Sequence, residues 1–259
     1  MPNLPAHIKL ALQGAELVDE PVLKANLGSF ILGCTAPDIR TITRSPRDET
    51  HFAPLDFQEM GAGVRGLLST HPDLSDASRL NGPTRAFLLG YFHHILADEA
   101  WIIEVYRPFF GRTEHAEHAM QANLWDRALQ LELDLTANQE LAGMAEVRRL
   151  LTASEVGVEV GFIDAATLTR WRQWVMEFTT WEVTWDRLKR MARRIHPQDT
   201  GGALALIEDF LHGMPKSLEA IYQVVPRHKV EGFQQRVAQE FITVAREYLS
   251  GIKSGPRPG

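Results

Sequence analysis

Residues 87–101 read Phe87-Leu88-Leu89-Gly90-Tyr91-Phe92-His93-His94-Ile95-Leu96-Ala97-Asp98-Glu99-Ala100-Trp101, and the rest of the chain is read outward from them. On an α-helix His94 and Asp98, four positions apart, project from one side about a turn from each other, so both can reach one cation. Leu88, Leu89, Tyr91, Phe92, Ile95, Leu96 and Trp101 surround the pair. An imidazole and a carboxylate in such company lose hydration unless they pair or bind a metal. The spacing alone is common, and a structural His–Asp hydrogen bond or an exposed edge meets it as well.

Periodicity to either side of this stretch predicts an almost wholly helical chain. Pro5 opens a first helix with His7 in its opening turn. Glu20-Pro21-Val22 opens a second that carries Leu23, Leu27, Phe30 and Ile31 inward and ends at Gly33 and Pro37. Residues 36–54 show no sustained period and read as a long loop, a feature that in a compact domain is usually functional or disordered. Helical spacing returns over 56–69, and the central helix is expected to run from Pro83-Thr84 to about Tyr106. Further helices are expected over 113–133 and 138–151, the latter capped near Thr136. Valine alternation over 155–162 is the one strand-like stretch, too short and isolated for a sheet. Residues 164–195 read as one long helix with Leu168, Trp171, Trp174 or Val175, Phe178, Trp181, Trp185 and Leu188 along its seam. Helices over 203–211, 215–226 and 229–249 follow, and residues 254–259 read as a disordered tail. The preferred division is a metal-binding helical core over 1–135 and a helical C-terminal extension over 136–253 packed on it.

Composition excludes several classes. The net charge of −6 argues against a general nucleic-acid binder, and duplex nucleic acid is not expected as a partner. One cysteine, Cys34, rules out an intrachain disulfide framework. The first residues lack the charged start and apolar core of a secretory signal, and no run approaches the ~20 apolar residues of a membrane span, so a cytoplasmic protein without a transmembrane segment is expected.

Among the histidines and acidic residues of the first hundred positions, His7, Asp38, His51, His94 and Asp98 are the candidate ligands. Three imidazoles and two carboxylates suit zinc in number and type, and they come from a helix start, a loop and the central helix, as a site assembled across a bundle requires. Pro5-Ala6-His7, Ala36-Pro37-Asp38-Ile39, His51-Phe52 and the stretch from Leu89 to Trp101 together resemble the zinc-dependent phospholipase C family, whose fold the P1-type nucleases share. The resemblance covers roughly residues 1–105. It implies an all-α multi-helix bundle of that type in which Asp38, His51, His94 and Asp98 hold one zinc, Asp98 bridges to a second metal, and His7 is similar to the N-terminal histidine ligand of that second ion. It also implies that Asp38, besides ligating, orients or deprotonates the attacking water.

Secreted members of that family use their processed N-terminal amine as a ligand, whereas here Met1 stands six residues before His7. They hold a third metal through a histidine and a His-x-x-x-Glu pair. The comparable positions here offer Glu104, Glu114 and His118 as candidates, with Ala122 where the last carboxylate would stand. His93 is expected behind His94 as a supporting donor or core imidazole, and Glu99 facing solvent or holding His7. Arg187, Lys189, Arg190, Arg193 and Arg194 read as helix-end charges or as a phosphate contact. The expected activity is hydrolysis of a phosphoester by a metal-activated water with one to three zinc ions, phospholipid being one substrate class. The alternatives are a P1-type single-strand nuclease and a non-catalytic helical protein with a structural metal.

Overall fold

A computed structural model describes residues 1–111 and 116–251, without the side chains of 116–118, 143 and 194. The longer helices are α1 (Leu4–Val18), α2 (Leu27–Thr35), α3 (Ala62–Thr70), α4 (Gly82–Trp101), α5 (Ala116–Glu140), α6 (Ala165–Phe178), α7 (Thr200–His212), α8 (Lys216–Val224) and α9 (Arg227–Ser250). Among the described residues there is no strand, and no helix is long and apolar enough to cross a membrane.

Helix α4 is the axis. Asn81 caps it, its side chain accepting the Thr84 amide at 2.8 Å, and Pro83 sits in its first turn. From Ala86 to Trp101 every residue is buried, which is what an all-round apolar helix requires of its neighbours. Those neighbours are α2, α9, α1 and α3. The approach of α2 is closest because glycines face each other's helices. A Cβ at Gly33 would overlap the Phe87 carbonyl, and one at Gly90 would overlap the Phe30 carbonyl and the Cys34 amide. On its far side, Trp101 belongs to a second cluster with Leu124, Leu131, Leu188, Ile207 and Phe233. There α5 anchors the Trp101 indole, which donates to Asp126 at 2.9 Å.

Several element boundaries differ from the sequence expectation, each for a local reason. The second helix breaks at Asn26, whose side chain bonds back to the Val22 carbonyl, leaving Pro21–Ala25 separate from α2. Residues 36–54 are a chain of short turns, Ala36–Ile39, Arg40–Thr43 and Asp48–His51, rather than a structureless loop. The next helix starts only at Ala62, because the amides of Gly61 and Gly63 are held by Glu99 instead. Past Trp101 the central helix widens into a π turn, Ile102–Tyr106. Thr136 does not cap a new helix; its hydroxyl bonds to the Glu132 carbonyl and α5 runs on to Glu140. The valines of 155–162 lie in turns tied to the start of α4, where Asn81 donates to the Gly157 carbonyl.

The expected helix over 164–195 ends at Phe178. The Thr179 and Thr180 hydroxyls turn back onto the Met176 and Glu177 carbonyls at 2.7 Å, and β-branched residues follow before helix resumes at Arg187–Arg190. The aromatic seam is accordingly a ladder from core to surface. Trp171 is fully buried and stacked on Trp174, Trp174 and Phe178 are half-buried, and Trp181 is exposed. Residues 254–259 lie outside the described residues.

Candidate metal centre

Five side chains from four elements meet at one point. His7 is brought by the first turn of α1, where the His7 amide bonds to the Asn3 carbonyl at 3.0 Å. The Asp134 carboxylate on α5 fixes this turn, accepting from the Asn3 side chain at 2.7 Å and the Ala6 amide at 3.2 Å. Asp38 lies half-buried in the 3₁₀ turn Ala36–Ile39 directly after α2. His51 ends the turn Asp48–His51, its amide bonded to the Arg47 carbonyl at 2.8 Å. His94 and Asp98 come from α4.

Ligand atoms of His7, His94 and Asp98 lie within 4.8 Å of one another, as do those of Asp38, His51 and His94. The two groups share His94. Asp98 sits among the imidazoles: His7 Nε2 is 3.3 Å from its Oδ1, and His51 Nε2 and His94 Nε2 are 3.2 and 3.9 Å from its Oδ2. The rings of His7 and His94 stack at 3.8 Å, 9° from parallel. Close as these approaches are, His7 Nε2, His51 Nε2, His94 Nε2 and Asp98 Oδ1 are buried with no hydrogen-bond partner. Buried polar atoms are normally satisfied, so a cluster of lone pairs turned on one space fits a cation as the missing partner.

The surroundings prepare those atoms. His94 Nδ1 lies 2.8 Å from the Cys34 carbonyl, so a neutral ring carries its proton there and leaves Nε2 free to ligate. Burial holds the His94 pKa well below the usual histidine value, and the neighbouring His7 adds to this. His51 Nδ1 pairs with the Thr50 hydroxyl at 2.9 Å. For Asp98, burial raises the pKa, but the imidazoles of His51, His7 and His94 more than offset it and the carboxyl stays well below the carboxylate range. Tyr91 donates to the Thr50 carbonyl beneath His51, and burial with the charge of Asp38 raises its pKa.

Of the two supporting residues, Glu99 differs from expectation, while His93 takes one of the two places expected for it. Glu99 neither faces solvent nor holds His7; it is buried and its carboxylate accepts the Gly61 amide and the Gly63 amide, the latter at 2.7 Å. Burial lifts its pKa to about 7 against the pull of those amides. His93 is a core imidazole packed edge-on to Phe241 and Phe30, held by burial at a pKa of about 3 and hence neutral.

Of the third-metal candidates, Glu104 falls on the π turn and joins no cluster of ligands among the described residues. Glu114 and the His118 side chain lie outside what is described. Arg187 is neither a free helix-end charge nor open to a phosphate. It is buried, donates to the Trp181 and Glu182 carbonyls and covers the Phe178 ring.

Sequence reasoning missed one cation. Arg47 Nη2 stands 3.5 Å from Asp98 Oδ2, whereas burial holds the Met1 amine down at a pKa of about 6, mostly neutral at pH 7. Arg47 lies four residues before His51, but its loop has no period to show where it points. Compared with protein-family models, curated proteins and solved structures, the chain matches none.

Proposed function

We propose that the chain is a zinc-dependent phosphoester hydrolase of the kind its first hundred residues resemble, with phosphodiesters as substrates. The observation that carries this reading is the convergence of His7, Asp38, His51, His94 and Asp98, with His7 Nε2, His51 Nε2, His94 Nε2 and Asp98 Oδ1 buried and without a hydrogen-bond partner. His94, whose one free nitrogen serves a single ion, would complete a site with His7 and Asp98 or with Asp38 and His51, and the imidazole nitrogens and carboxylates favour zinc. A zinc ion bound there supplies Lewis acidity and makes a bound water a nucleophile near neutral pH.

The protein's own residues do the rest. Glu99 clamps the 61–63 backbone against His51; a Cβ at Gly63 would overlap the His51 carbonyl. The Cys34 carbonyl fixes the His94 tautomer. Asp38 is less buried than His7, His51, His94 and Asp98, so its carboxylate is the one placed to orient a water or take its proton.

The test is hydrolysis of bis(p-nitrophenyl) phosphate, phosphatidylcholine vesicles and single-stranded DNA, with and without chelator. At least one substrate should be turned over, with loss on chelation, recovery with zinc, and a fall of about 100-fold or more in Asp38→Asn. Activity indifferent to chelation and to Asp38→Asn would reject the mechanism. Zinc uptake with no turnover of any substrate would favour the purely structural metal.

A further inference from the structure

Arg47 does more than line the centre. Its side chain is 12% exposed, with Nη1 donating to the Ala53 carbonyl at 3.2 Å and Nη2 lying 3.6 Å from the Met1 sulfur and 3.5 Å from Asp98 Oδ2. Its Nε is buried with no hydrogen-bond partner. Its carbonyl accepts the Thr50 and His51 amides at 3.0 and 2.8 Å, so the residue that starts the His51 turn also sends its guanidinium over the ligands.

Asp38 and Asp98 bring two negative charges, so one divalent ion held by neutral imidazoles and these carboxylates balances the centre, and Arg47, paired with Asp98, adds a positive charge beyond that balance. An uncompensated positive charge beside a bound cation attracts a further anion. A planar guanidinium with an unused Nε proton matches the oxygens of a tetrahedral phosphoryl group in a paired, two-bond contact.

We propose that Arg47 is the substrate-binding cation of this site, gripping the phosphoryl oxygens of a phosphoester beside the Asp98 carboxylate. The inference rests on the phosphoester hydrolase reading and deepens it by naming the side chain that recognises the phosphoryl group.

Zinc-loaded wild type, Arg47→Gln and Arg47→Lys are compared by zinc content, by calorimetric titration with inorganic phosphate, and by KM for bis(p-nitrophenyl) phosphate. The two ligands separate recognition of a free phosphate from that of a diester. R47Q should keep its zinc, bind phosphate at least about 10-fold more weakly and raise KM by a similar factor, with R47K in between. A diester KM that rises while phosphate affinity stays constant still supports the proposal and restricts it to diesters. Phosphate affinity and KM within two-fold of wild type at unchanged zinc would overturn it, as would loss of zinc from R47Q, the result expected if the guanidinium only orients Asp98. Should R47Q fail to fold, R47K decides, since it keeps the charge without the planar fork: a weakening of about 3-fold or more supports the proposal, and unchanged binding overturns it. If wild type turns over diesters with zinc and R47Q matches it, this inference alone fails. If wild type takes up no zinc, both fail.

Discussion

At the scale of single residues, the centre depends on carboxylates put where water cannot solvate them. Asp134 shows what this costs. It is buried on α5, and burial pushes its pKa from 3.8 to about 7 despite the Asn3 side chain and the Ala6 amide that it accepts from. The folded protein therefore binds this proton more tightly than the unfolded chain does. The stabilising contribution is complete below about pH 4 and is lost as pH rises toward 7, at about 1.4 kcal/mol per unit crossed. Asp134→Asn, neutral throughout, should flatten this part of the urea-midpoint profile and match or exceed wild type at pH 8; an unchanged slope would show that Asp134 is ionised in the folded state. Trp171→Phe should cost about 1 kcal/mol, because it removes the indole bond to Thr35 at 3.0 Å while keeping most of the packing. None of the residues that prepare the ligands was readable beforehand. Cys34 acts through its carbonyl, and Glu99 turned to backbone amides rather than to His7, choices that side-chain identity does not disclose.

At the scale of elements, the decisive contact is between α2 and α4. Gly33 and Gly90 let the two backbones close until the Cys34 carbonyl reaches His94. Gly90→Ala should lower stability by about 2 kcal/mol or more, since its methyl meets the rigid Phe30 carbonyl, and should lower zinc affinity with it. Urea melts and metal titration of this variant check both effects; a stability loss with wild-type zinc affinity would separate the helix contact from the centre. The existence of α4 and its burial were legible, because apolar residues lie on every side of the helix over 86–101, with His93, His94, Asp98 and Glu99 the polar exceptions. The break after Phe178 was not. The aromatic spacing continues past it to Trp185, while hydroxyls at Thr179 and Thr180 end the helix through bonds that a periodicity count does not see.

At the scale of the molecule, α1, the turns of 36–51 and α4 are separate in the chain and meet at the ligands, so an ion there would act as a cross-link. Zinc at 1,000 times its dissociation constant should add about 4 kcal/mol to unfolding, read as a chelator-sensitive rise in melting temperature. An equal melting temperature with and without chelator would mean that no such link exists. The five candidate ligands could be listed from the sequence, and all five converge. What the sequence left open was the approach of Arg47 to Asp98, because Arg47 comes from a segment without periodic structure. The most direct measurement is elemental analysis of the purified protein beside its His94→Ala and Asp98→Asn variants, His94 being common to both ligand groups. About one to three zinc ions per chain are expected in wild type and close to none in His94→Ala, with a clear fall in Asp98→Asn. A folded wild type without metal, or a His94→Ala protein that keeps the wild-type content, would contradict the account.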